Sequence, residues 1–326
     1  MRSLRRTVVK SVAQLDRVRP LWHELFRQSP KTMFQSFEWN RLAAQVFSDR
    51  LSPVVCAVES DSGAVIIPAA IHHQGNRLEL LGETLFDYRD LLHVGDPRVL
   101  QVAWQMLAEL ELPLSLTAVQ AENAAEYWQE LAPIEFTRAP WVDAAMLTAG
   151  QFRSLHTRAA RQLRRMQRKG VTLHQYSGSA ADQVSRLYQL KCDQFAADVN
   201  NVFRDPRRRE FMVAVAALEA EKCQVFTLED TVGCIVSGLV TFLDAGIRRF
   251  YTIYFDPKWA VYSPGVALVF EATALSLEQG LSCDYMTGEY PYKLRFANAS
   301  RMLYRVEASA AQLSEVAQAP AKRKIA

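Results

Sequence analysis

Hydrophobic residues recur along the first half of this chain at two spacings, one helical and one extended. Apolar positions three and four residues apart predict helices, whereas alternating apolar positions bounded by turn residues predict strands. The predicted helices cover residues 12–28, 37–47 and 99–110, with a short helix before the last strand. The predicted strands cover residues 53–59, 64–73, 77–82 and 114–119, with a last strand near 142–147. The pattern therefore predicts a mixed α/β domain.

The second half repeats this order of elements. Helices are predicted over residues 152–169, 180–197, 206–222, 266–279 and 292–297. Strands are predicted over residues 171–176, 224–229, 234–242, 248–255, 282–286 and 302–307. Two halves with similar element order indicate a duplicated α/β unit with mixed sheets. We expect one domain at 1–150, a second at 151–310, and a flexible basic tail at 311–326.

Length and charge refine this division. A chain of 326 residues is long enough for two domains of about 150 residues, each with its own core. The overall net charge of +3 hides an asymmetry between the halves. Residues 1–150 carry 14 Lys/Arg against 18 Asp/Glu, whereas residues 151–326 carry 24 against 17. A polyanionic ligand is therefore expected on the second half.

Cysteine usage and hydropathy indicate a cytoplasmic protein. The five cysteines are scattered, odd in number and without a CxxC pair, which is typical of reduced thiols. No segment has the roughly 18 uncharged apolar residues that a membrane span needs. No His, Cys or Asp grouping has metal-ligand spacing, and no GxSxG or P-loop motif is present, so no metal is expected.

The stretch of residues 262–296 carries the strongest functional signal. A bend with Pro264 and Gly265 opens an apolar helix, and a glycine at a helix start lets a ligand approach the backbone N–H groups. This pattern predicts a phosphate site, although an ordinary helix start with an N-cap serine would show it too. The candidate cofactor-binding residues at the bend are Ser263, Pro264, Gly265, Val266 and Ala267.

Titratable residues follow this helix and suit acid–base chemistry. Group transfer needs a base to take a proton from the attacking group and an acid for the leaving group. The candidate catalytic residues are Asp284, Glu289, Tyr292 and Lys293. The alternative is structural, with Asp284 capping a loop and Lys293 solvated.

A polar cluster in the first half suits recognition of a polar acceptor. Asp87, Tyr88, Arg89 and Asp90 place two carboxylates, a phenol and a guanidinium in four consecutive residues. A polar turn leading into a strand would explain them equally well. Glu38, early on a predicted helix, is a further candidate for substrate binding.

A basic amphipathic helix lies at the start of the second half. Arg158, Arg161, Arg165 and Arg168 share one face at spacings of three and four, and apolar residues line another. Such a face can meet nucleic acid, an anionic membrane surface or the phosphates of a cofactor, or it can simply be solvated. A second cluster at 204–209 carries the same alternatives.

Several segments resemble a known family. The segments YFDPKWAVYSPGVAL and EQGLSCDYMTGEYPYKLRF resemble the C-terminal part of BioF-like/CelD-like acyltransferases of the GNAT superfamily. These are relatives of the Fem peptidyl transferases, which contain two GNAT units. Upstream, FQSFEWNRL, LGETLFDYRDLL and RQLRRMQRKGV agree with the same resemblance and follow in the same order. The resemblance therefore covers nearly the whole chain and implies two tandem GNAT-like domains.

The resemblance implies an N-acyltransferase that moves an acyl group, acetyl in the simplest case, from acyl-CoA to an amine. The second domain would hold the CoA pyrophosphate at the 266–279 helix, and the first would contribute to an acceptor site between the halves. Backbone N–H groups around Tyr251 and Tyr254 would hold the thioester carbonyl. The usual Gln/Arg-x-x-Gly-x-Gly/Ala loop is replaced here by VYSPGVA, which has a single glycine.

The acceptor expected from the resemblance is a small-molecule, saccharide or cell-envelope amine, not DNA. Two alternatives stay open. Fem-like relatives use aminoacyl-tRNA, and the basic helix could contact tRNA phosphates. The fold could also persist as a non-catalytic scaffold for envelope polysaccharide assembly.

Overall fold

A computed structural model describes residues 4–28, 32–82, 85–120, 131–178 and 180–318. The chain forms two compact units. Unit 1 contains the chain up to Thr137 and again from Met302, and unit 2 runs from Arg138 to Arg301. The domain limits given above follow element order rather than compactness, and they stay a prediction.

The strands of the described residues are, in chain order, β1 (Arg5–Val9), β2 (Leu51–Ser60), β3 (Gly63–His72), β4 (Arg77–Leu80), β5 (Leu92–Gly95), β6 (Leu114–Gln120), β7 (Ile134–Val142), β8 (Thr172–Ser177), β9 (Cys223–Glu229), β10 (Ile235–Asp244), β11 (Ile247–Phe255), β12 (Ser282–Asp284) and β13 (Ala299–Ala308). The α-helices of the same residues are α1 (Arg19–Gln28), α2 (Phe37–Val46), α3 (Pro97–Ala108), α4 (Ala149–Leu155), α5 (Thr157–Gln167), α6 (Ala180–Gln194), α7 (Pro206–Leu218), α8 (Pro264–Glu278), α9 (Pro291–Phe296) and α10 (Ala310–Gln318).

Unit 1 is built on a mixed sheet. Strands β1 to β4 form an antiparallel meander, β4 pairs in parallel with β6, and β6 pairs antiparallel with β13. Strand β5 pairs with β3 off this path. The central strands β2 and β3 are buried over most of their length. Their apolar residues therefore form continuous runs, whereas a half-exposed strand would alternate apolar and polar residues. Helix α3 packs its apolar face on them, which completes the core of unit 1.

Unit 2 has a sheet in the order β7–β12–β11–β10–β9–β8. Only the β11–β12 pair is parallel in this sheet, and its register ends where Arg249 faces Asp284. Strand β11 continues beyond that point to Phe255, so β11 and β12 are paired at one end only. The register between β10 and β11 also shifts between Val240 and Thr241.

Helix α8 forms the centre of the core of unit 2. It is apolar all around, and most of its residues are buried, as expected for a helix covered on every side. The ring of Phe270 stacks on Phe152 from α4, with centroids 5.6 Å apart. The hydroxyl groups of Thr273 and Tyr285 are hydrogen-bonded at 2.9 Å. These contacts fix the middle of α8 against α4 and Tyr285.

The mixed α/β fold predicted from the sequence is confirmed, with local differences. The predicted helix at 152–169 is two helices, because the backbone at His156 leaves the helical region with φ −112° and ψ 41°. The strand predicted near 142–147 lies earlier, at β7, and a turn follows it. The short helix predicted before that strand falls mainly on residues 121–130, which lie outside the described residues.

The C-terminal segment also differs from the expectation of a flexible tail. Residues 310–318 form helix α10, because Leu313 and Ala317 are buried against unit 1. The side-chain amide of Gln105 on α3 donates a hydrogen bond to the carbonyl of Ala317 at 3.1 Å. The basic residues after 318 lie outside the part of the chain that the structure describes.

Candidate functional site

The N-terminus of α8 presents backbone N–H groups. Ser263 occupies the N-cap position in the left-handed region, with φ 48° and ψ 56°, and its side chain makes no capping hydrogen bond. The N–H of Ala267 donates to the Ser263 carbonyl at 3.0 Å. The N–H groups of Gly265 and Val266 precede this first helical bond and point out of the helix end, where the helix dipole favours an anion.

A groove of about 950 Å³ lies at this helix end. Residues of α4, α5 and α9 and the first turn of α8 line it, together with flanking loop residues. Three cationic or titratable side chains line the groove. They are His156 between α4 and α5, Arg158 on α5 and Arg295 on α9. The groove therefore combines a helix N-terminus with positive charge, the combination that binds phosphates.

An apolar cavity of about 280 Å³ adjoins the groove. Ile253 and Phe255 at the end of β11 line it from one side, and the start of α8 lines it from the other. Three residues line both spaces, and they are Ser263, Val266 and Tyr292. The groove and the cavity thus meet at the helix end.

Gly265 keeps the cavity open on the helix side. A Cβ atom added there would lie 3.3 Å from Cδ1 of Ile253 and 3.7 Å from Cδ1 of Phe255. The glycine is not needed for its backbone conformation, because its φ lies outside the left-handed region. Its absence of a side chain is what leaves room between α8 and β11.

Tyr292 on α9 is the predicted catalytic residue that reaches this place. Its side chain is largely shielded from solvent, and this burial, followed by the neighbouring Tyr290, raises the pKa of the Tyr292 phenol to about 12. The two rings are stacked with centroids 6.4 Å apart. At neutral pH the phenol is therefore protonated and can donate a proton.

Asp284 lies in a buried ion network instead of lining either space. Its Oδ2 accepts a hydrogen bond from Nη1 of Arg249 at 2.6 Å, and its Oδ1 accepts one from the N–H of Met286 at 2.8 Å. The same guanidinium donates from Nε to Asp244 at 2.7 Å. This arrangement fixes the end of β12 to β11 and suits a positioning role.

Lys293 lies on α9, and Glu289 lies in the loop that precedes this helix. The Nζ of Lys293 donates to the carbonyls of Thr287 at 2.6 Å and Met286 at 3.4 Å, so the ammonium is buried and holds the loop. Glu289 is half exposed, with Oε1 3.9 Å from Nε of Arg138. Neither side chain is among those that line the groove or the apolar cavity.

The other predicted residues of unit 2 lie close to the helix end. Pro264 is the first residue of α8, and Ala267 lines the groove. Tyr254 is buried within β11, where its carbonyl accepts a hydrogen bond from Oγ of Ser237 at 2.7 Å. Burial raises the pKa of its phenol.

Three of the predicted acceptor residues are buried in unit 1. The Tyr88 carbonyl accepts a hydrogen bond from the Gln35 amide at 2.7 Å. Arg89 donates from Nη1 to the Thr117 carbonyl at 2.9 Å, and Asp90 accepts from the N–H of Leu91 at 2.8 Å. These contacts fix the loop that leads into β5.

The remaining two acceptor candidates are partly open to solvent. Glu38 lies 2.8 Å from Nε2 of His23, and Asp87 is half-buried. The assignment of all five residues to acceptor binding stays a prediction.

Two titratable residues of the groove, His156 and Arg295, are not among the site residues predicted from the sequence. Arg295 lies three positions after Tyr292, so a helix over 292–297 would already have placed both on one side of that helix. His156 gave no signal as a lone histidine. Its ring lies between Phe152 and Phe296, with centroids 4.6 and 4.8 Å away, and burial, followed by the charge of Arg295, lowers its pKa.

A metal-ion cluster and a membrane-spanning helix are both absent from the described residues. No group of three His, Cys, Asp or Glu side chains is arranged to hold a metal ion in the ranges that the structure describes. Among the same residues, no helix has the length and apolar character needed to cross a membrane.

Comparison with known proteins gives the class of the chain. Residues 152–294 match the family model described as an acetyltransferase (GNAT) domain. A search of curated proteins finds no match. The matched range contains α8, most of the residues that line the groove, and all of the residues that line the apolar cavity. Residues 152–294 therefore form an acetyltransferase domain of the GNAT type.

Solved structures that are similar to nearly the whole chain show its fold. L-PGS from Bacillus licheniformis is 12% identical, with a TM-score of 0.56 over 93% of this chain and 97% of that one. A tandem GNAT protein from the clavulanic acid biosynthesis pathway is 10% identical, with a TM-score of 0.53 over 94% and 98%. FemX is 8% identical, with a TM-score of 0.56 over 93% and 96%. The chain thus has the double GNAT fold that it shares with a Fem protein.

Proposed function

We propose that this protein transfers an acyl group, acetyl in the simplest case, from acyl-CoA to the amine of a small-molecule or cell-envelope acceptor. The observation that carries the proposal is the meeting of two spaces at the start of α8. One is a basic groove and the other an apolar cavity, and Ser263, Val266 and Tyr292 line both. An acyl-CoA has the matching composition, with anionic phosphates at one end and a thioester on a largely uncharged arm.

In this proposal the diphosphate of the donor binds at the N–H groups of Gly265 and Val266. Arg158 and Arg295 in the groove add charge-assisted contacts to phosphate oxygens. The arm then passes Tyr292 into the apolar cavity beside Ile253. The single glycine of the bend is sufficient here, because only Gly265 faces the close approach to β11.

The reaction is direct attack of a neutral amine on the thioester carbonyl. A C–N bond forms, the carbonyl oxygen takes up negative charge, and the C–S bond then breaks to give the amide and a thiolate. Backbone N–H groups of β11, in the stretch Tyr251 to Tyr254, stabilise the oxyanion. Tyr292 hydrogen-bonds to the thiolate as it leaves and passes it a proton, which the phenol regains from solvent, and the proton lost by the attacking nitrogen is released to solvent. Asp284 and Lys293 position the surrounding strands and loop.

The acceptor side of the proposal rests on unit 1. Glu38 and Asp87 supply carboxylates that suit an amine, while Tyr88, Arg89 and Asp90 hold the loop that presents Asp87. Loops of this kind vary on a shared fold, so the acceptor class is best sought with a panel of amino sugars, polyamines and amino acids.

A valine at position 265 tests the donor site. Gly265→Val fills the space toward Ile253, so we expect CoA and acetyl-CoA to stop raising the thermal midpoint that they raise in the parent protein. Overpacking costs about 1–3 kcal/mol, so the variant stays folded. Gly150→Val is the matched control, because a side chain there meets nothing within 4 Å.

The outcomes of this test separate the alternatives. No midpoint shift of the parent protein at millimolar CoA would overturn the acyl-CoA assignment. Transfer of an aminoacyl group from charged tRNA without any transfer from acyl-CoA would replace the donor by aminoacyl-tRNA. Absence of transfer from either donor to every amine in the panel would favour a scaffold.

A further inference from the structure

The helix that borders the groove carries an excess of positive charge. Residues 149–171 contain seven Arg/Lys and no Asp/Glu. One of the seven, Arg153, is neutralised by Glu271 at 2.8 Å and Glu278 at 3.0 Å. The cationic residues that share one side of α5 and its C-terminal end are Arg158, Arg161, Arg165, Arg168 and Lys169.

Within the ranges that the structure describes, this charge is not paired with carboxylates. Among the described residues, no carboxylate lies within 4 Å of any of these five side chains. Arg165 and Lys169 lie over the ring of Tyr262, at 5.3 and 6.0 Å from its centroid. Arg158 lines the groove. The cationic side of α5 thus runs from the groove to the residues just before α8.

Large aliphatic side chains protrude around the same place. Leu155, at the end of α4, lines the groove and is 67% exposed. Val261 precedes Tyr262 and is 69% exposed, and Met146 precedes the groove residue Leu147 and is 69% exposed. We call these three residues and the five cationic ones the docking face. The docking face thus combines exposed aliphatic side chains with cations that no carboxylate of the described residues pairs.

We propose that the docking face binds a bilayer surface that contains anionic lipids. Arginine and lysine side chains near such a surface are attracted by its negative potential, and aliphatic tips gain free energy when they enter the headgroup region. Binding to such a bilayer explains both the cationic and the aliphatic residues of the docking face. RNA would explain the cations through its phosphates, but it offers no apolar layer for Leu155, Val261 and Met146. The ring of Tyr262, next to the docking face, already has Arg165 and Lys169 over it.

The docked arrangement has a consequence for the groove. Arg158 and Leu155 belong both to the groove lining and to the docking face. Binding of that face therefore brings the groove to the level of the lipid headgroups. A substrate that is itself held in the membrane would reach the groove without crossing water.

Sedimentation of the full chain with vesicles tests the proposal. We compare phosphatidylcholine vesicles with vesicles of about one third phosphatidylglycerol, the second of which carry a negative surface potential. We expect at least about tenfold stronger partitioning to the anionic vesicles, and we expect that preference to fall steeply between about 0.05 and 0.5 M NaCl.

Two variants locate the binding face. Arg161→Gln/Arg168→Gln removes two charges that do not line the groove, and we expect partitioning to fall about tenfold or more. Its control is Arg5→Gln/Arg17→Gln, which removes the same charge from exposed positions of unit 1 and should leave partitioning unchanged. Val261→Ser should weaken partitioning, whereas Val232→Ser, at a valine 79% exposed in the turn before β10, should not.

Three results would overturn the proposal. The first is equal partitioning to both kinds of vesicle, and the second is equal loss with the unit 1 control. The third is tight, salt-sensitive binding of RNA without binding of anionic vesicles, which would make this face a nucleic-acid surface. The readout needs no acyl transfer, so it stands or fails separately from the proposed acyl-CoA site.

Discussion

Tyr292 occupies the point where the basic groove and the apolar cavity meet. A phenol there has two features that matter for acyl transfer. It touches the place where a thioester would pass, and burial raises its pKa to about 12, which keeps it protonated at neutral pH. A protonated phenol at this place can donate a hydrogen bond to the thiolate as it forms.

Replacing Tyr292 by phenylalanine tests this role. Tyr292→Phe keeps the ring and removes the proton, so we expect kcat to fall about 100-fold or more, as for loss of a general acid. The apparent Kd for CoA should change little, because the ring still fills the same space. A fall in CoA affinity with unchanged kcat would show that Tyr292 binds the donor without transferring a proton.

His156 makes the stability of unit 2 depend on pH. Burial between aromatic rings, with Arg295 nearby, lowers the pKa of His156 in the folded protein below its ordinary value of about 6.5. The folded state then prefers the neutral ring, so its contribution to stability is complete above about pH 6.5 and is lost as pH falls toward the lowered pKa.

We therefore expect the free energy of unfolding to decrease when pH is lowered from about 8 to about 5.5, by at most about 1.4 kcal/mol per pH unit from this group. His156→Gln removes the titration, so the variant should lose less stability over the same interval. Urea unfolding at several pH values measures the difference. Parallel curves for the two proteins would contradict the assignment.

At the scale of elements, strand β12 is short and depends on ionic contacts. It pairs in parallel with β11 over three residues, and its last residue, Asp284, bonds to Arg249 of β11. Arg249 also binds Asp244, so one guanidinium links two strands and the hairpin before β11. Beyond this link β11 stays paired with β10 but has no β12 residue beside it, and space opens next to Ile253.

Removal of the Asp284 carboxylate should loosen this link. Asp284→Ala leaves the buried Arg249 with one carboxylate instead of two, and breaking a buried ion pair costs about 3–5 kcal/mol. We expect a loss of stability toward the lower end of that range, measured by urea unfolding. The control is Glu289→Ala, whose half-exposed pair with Arg138 should cost less than about 1 kcal/mol. Equal losses in the two variants would contradict the structural role of Asp284.

At the scale of the whole molecule, each compact unit contains a hydrophobic core of its own. The groove and the apolar cavity are lined by residues of unit 2 alone. A donor that binds there should therefore stabilise the core around α8 first. A ligand at about 100 times its Kd adds about 2.7 kcal/mol to the stability of the state it binds.

Hydrogen exchange measures where this stabilisation appears. With CoA present, we expect slower exchange in peptides from α8, α9 and the end of β11, and no change in peptides from β1 to β4. Gly265→Val should remove the difference. Protection spread equally over unit 1 would show that CoA binds elsewhere or orders more than the groove.

The sequence by itself determined the class of fold, most of the helices and strands, and the position of helix α8. Helix α8 could be predicted because a proline and a glycine precede a long apolar run, and these local signals do not depend on partners. The meander β9 to β11 could be predicted for the same reason, from alternating or apolar runs separated by turn residues. Strand β1 was missed, since it is polar on its exposed side, whereas β5, only four residues long, was considered only as the strand after the polar turn at 87–90.

Only the tertiary structure decided which polar side chains are open to a ligand. Asp284 and Lys293 follow α8 closely in the sequence, yet Arg249 and two loop carbonyls take up their charges. His156 and Arg295, which are far apart in the chain, meet in the groove. Burial and charge pairing depend on residues distant in sequence, so the local pattern fixed where the helix begins, whereas packing decided which side chains surround its end.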